Sequence, residues 1–195
     1  MPDFKPDMMN IIAETDRLII RELVPEDLPA LRKISSPKDR EKLGETEEKL
    51  LQEDFFLAYI RNQYAFFGFG IWALVLKETG ELIGKAGLSP LEEPFEPQDG
   101  TDDAGDILEL CYHVGTEFRR RGYALEALKA VLFFGQKELD VHRYLVRTGK
   151  NNIPSRELIR KLNMETGPGT ENEVTENETS RPETAECLRI YISNP

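Results

Sequence analysis

Residues 107–139 constrain this chain more than any other stretch. A strand-like run, ILELCYHV, is followed by three consecutive arginines, a glycine and then leucines at 125, 128, 132 and 139 that share one helical face. A helix that begins directly after such a loop turns its unpaired first-turn N–H groups toward whatever the loop encloses. Their partial positive charge, the close backbone approach that Gly122 and Ala124 permit, and the full charges of Arg119, Arg120 and Arg121 suit a pyrophosphate. Taken alone, the same residues also describe a solvated loop before a well-formed helix.

The rest of the chain surrounds that unit with alternating elements. Residues 17–22 (RLIIRE) read as a first strand, and Pro25 opens a short helix carrying Leu28, Leu31 and Ile34 at helical spacing. Thr46, followed by Glu47 and Glu48, predicts the cap of a second helix through Leu50, Leu51, Phe55, Leu57 and Ile60. The period then changes: residues 72–77 and 82–88 are two strands about a turn at 78–81, ETGE. Residues 92–106, rich in proline, glycine and acid, read as an exposed loop before the fourth strand at 107–114. A fifth strand at 143–147, a last helix at 155–162 and a closing strand at 188–192 follow, with a low-complexity loop or distorted hairpin at 167–184. This order predicts a mixed α+β fold in which an antiparallel meander begins at residues 72–88. A length of 195 residues with 39% apolar content supports one core, hence a single domain over 1–195, its core at about 15–164 and an acidic loop with closing strand at 165–195.

Several classes of function fall away. The formal charge of −11 disfavours general affinity for nucleic acid or anionic membranes. No run approaches the roughly 18 apolar residues of a membrane span and the first residues lack a secretory signal, so a cytoplasmic protein is expected. Cys111 and Cys187 are the only thiols, too few for a disulfide framework, and no metal site is expected because no second Cys or His pair completes Cys111 and His113. Gly80 and Gly84-Lys85 miss the spacing of a P-loop, and Gly68-x-Gly70 lacks its third glycine, so nucleotide fingerprints fail. The charge is uneven: residues 118–161 hold eleven Lys and Arg against four acids, whereas 165–186 hold seven acids against Arg181 alone. One end suits a polyanionic ligand and the other a cationic one. Trp72, Tyr64, Phe66, Phe67 and Phe69 read as core or as the wall of an acceptor pocket.

Arg119-Arg120-Arg121-Gly122-Tyr123-Ala124 resembles the acetyl-CoA signature of the GCN5-related N-acetyltransferases, Gln/Arg-x-x-Gly-x-Gly/Ala. The company it keeps resembles the ribosomal-protein-alanine N-acetyltransferase branch: Leu108 to Val114 as the preceding strand, Asn152-Ile153-Pro154-Ser155, Arg160-Lys161-Leu162-Asn163-Met164, and Thr15-Asp16-Arg17-Leu18 with Arg21. The likeness spans residues 15–164. It implies a mostly antiparallel sheet flanked by helices and splayed between the fourth and fifth strands, with pantetheine in the gap. It implies further that the backbone of Arg120, Arg121, Gly122, Tyr123, Ala124 and Leu125 holds the pyrophosphate, that Val114 lies beside the pantetheine arm, that Arg119 and Arg121 add charge, and that Asn152 bonds the cosubstrate on the far side.

The implied reaction moves the acetyl group of acetyl-CoA to a primary amine, a protein N-terminus or a small molecule, by direct attack. An α-amino group ionises at about 7.7 to 8 and a lysine at about 10.4, so a base is needed at neutral pH. Glu109, between Leu108 and Leu110 on the strand entering the loop, is the candidate; an outward carboxylate on a solvated face is the alternative. Many relatives protonate the leaving thiolate with a tyrosine seven residues after the Asn, where this chain has Ile159. Ser155 resembles the serine that serves in the nearest branch, although a serine at a helix start also serves as a cap. The missing tyrosine keeps open a non-catalytic acyl-CoA sensor on the same fold. A monomer or a homodimer fits equally.

Overall fold

The computed structural model describes residues 10–35, 49–91, 107–149, 151–166 and 185–191. Thr46 and its acidic neighbours, the loop at 92–106 and the acidic stretch at 167–184 lie outside these. The chain forms a seven-stranded sheet whose spatial order follows its sequence order. Its strands are β1 (Ile11–Glu14), β2 (Leu18–Arg21), β3 (Ile71–Leu76), β4 (Leu82–Pro90), β5 (Ile107–Val114), β6 (Arg143–Gly149) and β7 (Ala185–Tyr191). Every neighbouring pair is antiparallel except β5 with β6. β1 was not anticipated from the sequence. It is a short edge strand, and its register with β2 shifts between Ile11 and Ala13, so no sustained alternation marks it.

β3 shows how the sheet is covered on both faces. Trp72, Leu74 and Leu76 point to one core, shared with Leu128, Val131 and Leu132 of helix α3 (Tyr123–Glu138) and with Ile159 and Leu162 of helix α4 (Ile153–Thr166). Ile71, Ala73 and Val75 point to the other, formed with Leu28 and Leu31 of helix α1 (Leu28–Ile34) and Phe56 and Tyr59 of helix α2 (Glu53–Phe67). A strand buried on both sides reads as a continuous apolar run rather than an alternating one, as WALVL does. Gly84, a false phosphate-loop glycine in the sequence, sits where β4 meets β5: a side chain there would collide with the His113 carbonyl. Its smallness serves sheet packing.

Helix α2 extends beyond Ile60 to Phe67 because Tyr59 and Tyr64 tie its last turns to the sheet. Ile71 N–H donates to the Tyr59 hydroxyl at 2.7 Å, and the Tyr64 hydroxyl donates to the Ile71 carbonyl at 2.5 Å while accepting from Leu23 N–H. Burial pushes both phenols above their ordinary range. The aromatic cluster divides: Trp72 and Phe69 are buried, whereas Phe66 is 81% exposed.

The turn from β2 into α1 depends on a buried ion pair. Arg21 makes a bidentate contact with Asp27 at 2.7 and 2.8 Å, and Asp27 also accepts Val24 N–H at 2.9 Å. The hydrogen bond to Asp27 raises the Arg21 pKa against the lowering effect of burial. Asp27→Ala, which strands the guanidinium, is expected to cost about 3 kcal/mol of stability, read as a lower urea midpoint at unchanged slope.

Candidate functional site

The parallel pairing of β5 with β6 is brief. Ile107 lies opposite Arg143, Leu108 opposite Tyr144 and Glu109 opposite Leu145, and beyond Glu109 the described register ends. On its other edge β5 stays paired along its whole length, from Pro90 opposite Leu108 to Gly84 opposite Val114. The sheet therefore splays on one edge of β5. These are the fourth and fifth strands of the sequence reading, displaced by one in number because β1 precedes them.

Past Val114 the chain makes one turn of 3-10 helix, Thr116–Phe118, and then the arginine loop. Arg120 has φ of 62° and Gly122, the N-cap of α3, has φ of 86°. Left-handed backbone at both positions curls the loop into a turn of the kind in which successive N–H groups converge on an anion. At Gly122 a Cβ would be strained by its φ and would lie 3.2 Å from an Arg17 nitrogen. Of the three arginines, Arg119 turns back, its Nε donating to the Val114 carbonyl at 2.8 Å. Arg120 and Arg121 are exposed.

Arg17, far away in sequence, holds this loop in shape. Its Nη1 donates to the Arg121 carbonyl at 2.9 Å, and its Nε and Nη2 reach Glu126 Oε2 at 2.7 and 2.6 Å. Thr15 Oγ1 and the Arg17 N–H donate to the other carboxylate oxygen at 2.6 and 2.9 Å, and the guanidinium carbon stands 4.4 Å from the Tyr123 ring centroid. A peptide unit is planar, so drawing the Arg121 carbonyl toward Arg17 directs the Gly122 N–H the opposite way. Burial alone would raise the Glu126 pKa, but hydrogen bonds from Thr15 and from the backbone and side chain of Arg17 together hold it below the ordinary carboxylate value.

The arms of the splay carry the candidate catalytic groups. Glu109 is ion-paired with Arg147 of β6, and both side chains are largely buried. Leu108 and Leu110 belong to the core on the other face, so the immediate partner of the carboxylate is a guanidinium rather than an apolar wall. Across the splay, Tyr112 OH donates to Ser155 Oγ at 2.7 Å. Asn152 accepts from Ser155 N–H through Oδ1 at 3.4 Å, closing the start of α4. Ile159, where a tyrosine stands in many relatives, is buried in the core at 1% exposure. His113 donates through Nε2 to the Ile34 carbonyl at 3.2 Å, and Cys111 Sγ lies 3.7 Å from Ser89 Oγ. Among the described residues no group of His, Cys, Asp and Glu is placed to hold a metal ion.

The structure thus gathers Val114, Arg119 and Gly122 at the loop, and brings Asn152 and Ser155 against β5 through Tyr112. Four participants were given no role from sequence: Arg17 and Glu126, Arg147, and Tyr112. Arg17 and Tyr112 carried a signal, as part of the Thr15-Asp16-Arg17-Leu18 motif and of the Leu108 to Val114 strand; Glu126 and Arg147 carried none.

The family profile described as "Acetyltransferase (GNAT) domain" matches residues 17–165. The uncharacterized N-acetyltransferase YjdG of Bacillus subtilis is 26% identical over 161 residues, 78% of this chain and 88% of its own. A second Bacillus subtilis protein, the uncharacterized N-acetyltransferase YoaA, is 25% identical over 77% of this chain and 81% of its own. Among solved structures, a putative ribosomal-protein-serine acetyltransferase from Vibrio cholerae superposes with a TM-score of 0.67 at 18% identity, covering 96% of this chain and 99% of that one. The ribosomal L7/L12 α-N-protein acetyltransferase RimL, solved in complex with coenzyme A, gives 0.67 at 13% identity over 94% and 98%. With three quarters of its length matched by that profile, the chain belongs to the GNAT acetyltransferase domain family and is an acetyl-CoA-dependent N-acetyltransferase.

Proposed function

We propose that residues 1–195 form one cytoplasmic N-acetyltransferase domain, monomeric or homodimeric, which acetylates a primary amine by direct attack within a ternary complex. The observation that carries this reading is the splay beside a loop in which Arg17 takes the Arg121 carbonyl and so directs the Gly122 N–H away from itself. Acetyl-CoA supplies the activated acetyl group as its thioester. On this reading the N–H groups of residues 120–125 hold the pyrophosphate, with Arg121 adding charge, while Arg119 fixes the Val114 carbonyl at the edge along which the pantetheine arm lies. Asn152 closes the far side through the amide nitrogen that its cap leaves over. The likeness to proteins named as ribosomal-protein acetyltransferases supports an α-amino group of a protein as acceptor, with small amines as the wider class.

Glu109 receives the amine proton directly or through a water. Its carboxylate is held in place by Arg147, and an α-amino group needs less driving force to deprotonate than a lysine. Ser155 delivers a proton to the leaving sulfur. Because Asn152 occupies the cap position, the Ser155 hydroxyl is not needed to close the helix.

Calorimetric titration with acetyl-CoA is expected to show saturable binding, and Gly122→Glu to weaken it by more than about a hundredfold through φ strain and charge repulsion. No binding by the wild type would sink the reading. Arg17→Ala is expected to weaken acetyl-CoA about tenfold, some 1.4 kcal/mol, by releasing the Gly122 N–H from its direction. The depressed Glu126 pKa has a stability consequence with a definite sign. Its contribution is full above the unfolded carboxylate value, about 4.3, and is lost as pH falls through the lower folded value. The stability gap between wild type and Glu126→Gln should therefore be constant near neutrality and shrink in acid. Glu109→Gln should lower turnover of an alanine-initiated peptide about a hundredfold with acetyl-CoA affinity unchanged; full activity at neutral pH would remove Glu109 as base.

A further inference from the structure

From the hydrogen bond that crosses the splay we infer that Tyr112 is the proton source behind Ser155, a relay and positioning residue supplied by the strand in place of the missing tyrosine of the last helix. The inference rests on the acyl-transfer reading above and on Ser155 as the group that meets the sulfur.

Three observations converge on it. First, the bond has a direction: Tyr112 donates and Ser155 Oγ accepts at 2.7 Å. A serine hydroxyl has a single proton, so a serine that accepts from tyrosine points its own proton elsewhere. Second, Ser155 is spared from capping, since Asn152 does that, and its 8% exposure leaves little solvent to reprotonate it. Third, Tyr112 lies on the stretch of β5 beyond Glu109, three residues further along. Alternation along a strand therefore sets its ring on the face opposite the Glu109 carboxylate, against the core shared with α3 and α4.

The chemistry explains why a partner is needed. An aliphatic hydroxyl is a very weak acid, and serine alone would be left as an alkoxide in a site largely closed to water. A phenol ionises near 10 and a thiol near 8.5, so proton transfer from phenol to thiolate is uphill by only about thirtyfold. As the C–N bond forms and the C–S bond breaks, the sulfur keeps the electron pair and takes the Ser155 proton. The Tyr112 proton moves to Ser155 Oγ, and the phenolate regains a proton from water. Glu109, or its water, removes one proton from the amine nitrogen and returns it to the solvent that reprotonates the phenolate, so amine plus thioester gives amide plus thiol with nothing left over.

The test uses the full chain with acetyl-CoA as donor and, in parallel, hydroxylamine and an alanine-initiated peptide as acceptors. Tyr112→Phe should lower kcat about tenfold while the KM for acetyl-CoA stays within about twofold. In a Ser155→Ala background the same change should cost nothing further. Replacing Tyr112 by 3,5-difluorotyrosine, a more acidic phenol of nearly the same shape, should move the basic limb of the kcat profile to lower pH; this readout serves even if the phenylalanine variant folds poorly. Full activity of Tyr112→Phe alongside a slow Ser155→Ala overturns the relay, as does a Tyr112→Phe loss that persists in Ser155→Ala or a basic limb that stays in place. A silent wild type, or a Ser155→Ala variant as fast as wild type, instead overturns the reading on which the relay rests.

Discussion

Parallel pairing between β5 and β6 stops after Glu109, and the site exists because it stops there. A sheet that continued would satisfy the backbone groups of β5 on both edges and leave no slot for a ligand arm. By separating, β6 leaves the edge of β5 from Leu110 to Val114 with polar groups that require partners from outside the ladder. One of them, the Val114 carbonyl, is met by Arg119 from the next loop. The lower half of β5 stays locked to β6 and its other edge to β4, so the edge beyond Glu109 is rigid although β6 has left it.

The second constraint is the geometry of the loop that follows. Left-handed backbone at Arg120 costs of the order of 1 kcal/mol for a residue with a Cβ, and such strain persists only where the surroundings enforce it. Enforcement comes from the N-terminal turn between β1 and β2. Thr15 and Arg17 grip Glu126 in the first turn of α3, and Arg17 takes the Arg121 carbonyl in the same grasp. An acid in the first turn of a helix already suits the helix dipole. Here it also anchors the arginine that orients a peptide unit. The first strands of the chain thereby help shape a site built from its middle.

This division explains what the sequence could disclose. The succession of strands and helices along the chain, the hairpin at 78–81, the amphipathic α3 and the loop arginines are local patterns, each written in a few consecutive residues. The splay was expected only from resemblance, because nothing in RYLVR or ILELCYHV says where two parallel strands part. The Arg17–Glu126 grip joins residues 109 apart, and Tyr112–Ser155 joins residues 43 apart. No periodicity reports such pairs. Glu109 is instructive in another way: its flanking leucines suggested an apolar setting, but alternation turns both to the opposite face and leaves the carboxylate with Arg147. Neighbours in sequence along a strand are not neighbours in space. Phe66 differs for the complementary reason, since a helix that runs about two turns past the apolar pattern read to Ile60 leaves Phe66, near its end, exposed.

The same alternation bears on the chemistry. Acyl transfer from a thioester to an amine requires a proton acceptor at the nitrogen and a proton donor at the sulfur, and the two must not neutralise each other directly. Glu109 and Tyr112 are separated by three positions on one strand, an odd number, so the sheet itself stands between them. On the proposed reading, a base on one face and a hydroxyl chain on the other would leave the plane of the splay for the reacting carbon, with the amine arriving from the Glu109 side and the sulfur departing toward Ser155. An even spacing would put both groups in one chamber, where a carboxylate and a hydroxyl would bond to each other instead of serving the two ends of the reaction. The position of these two residues along β5 thus matters as much as their identity.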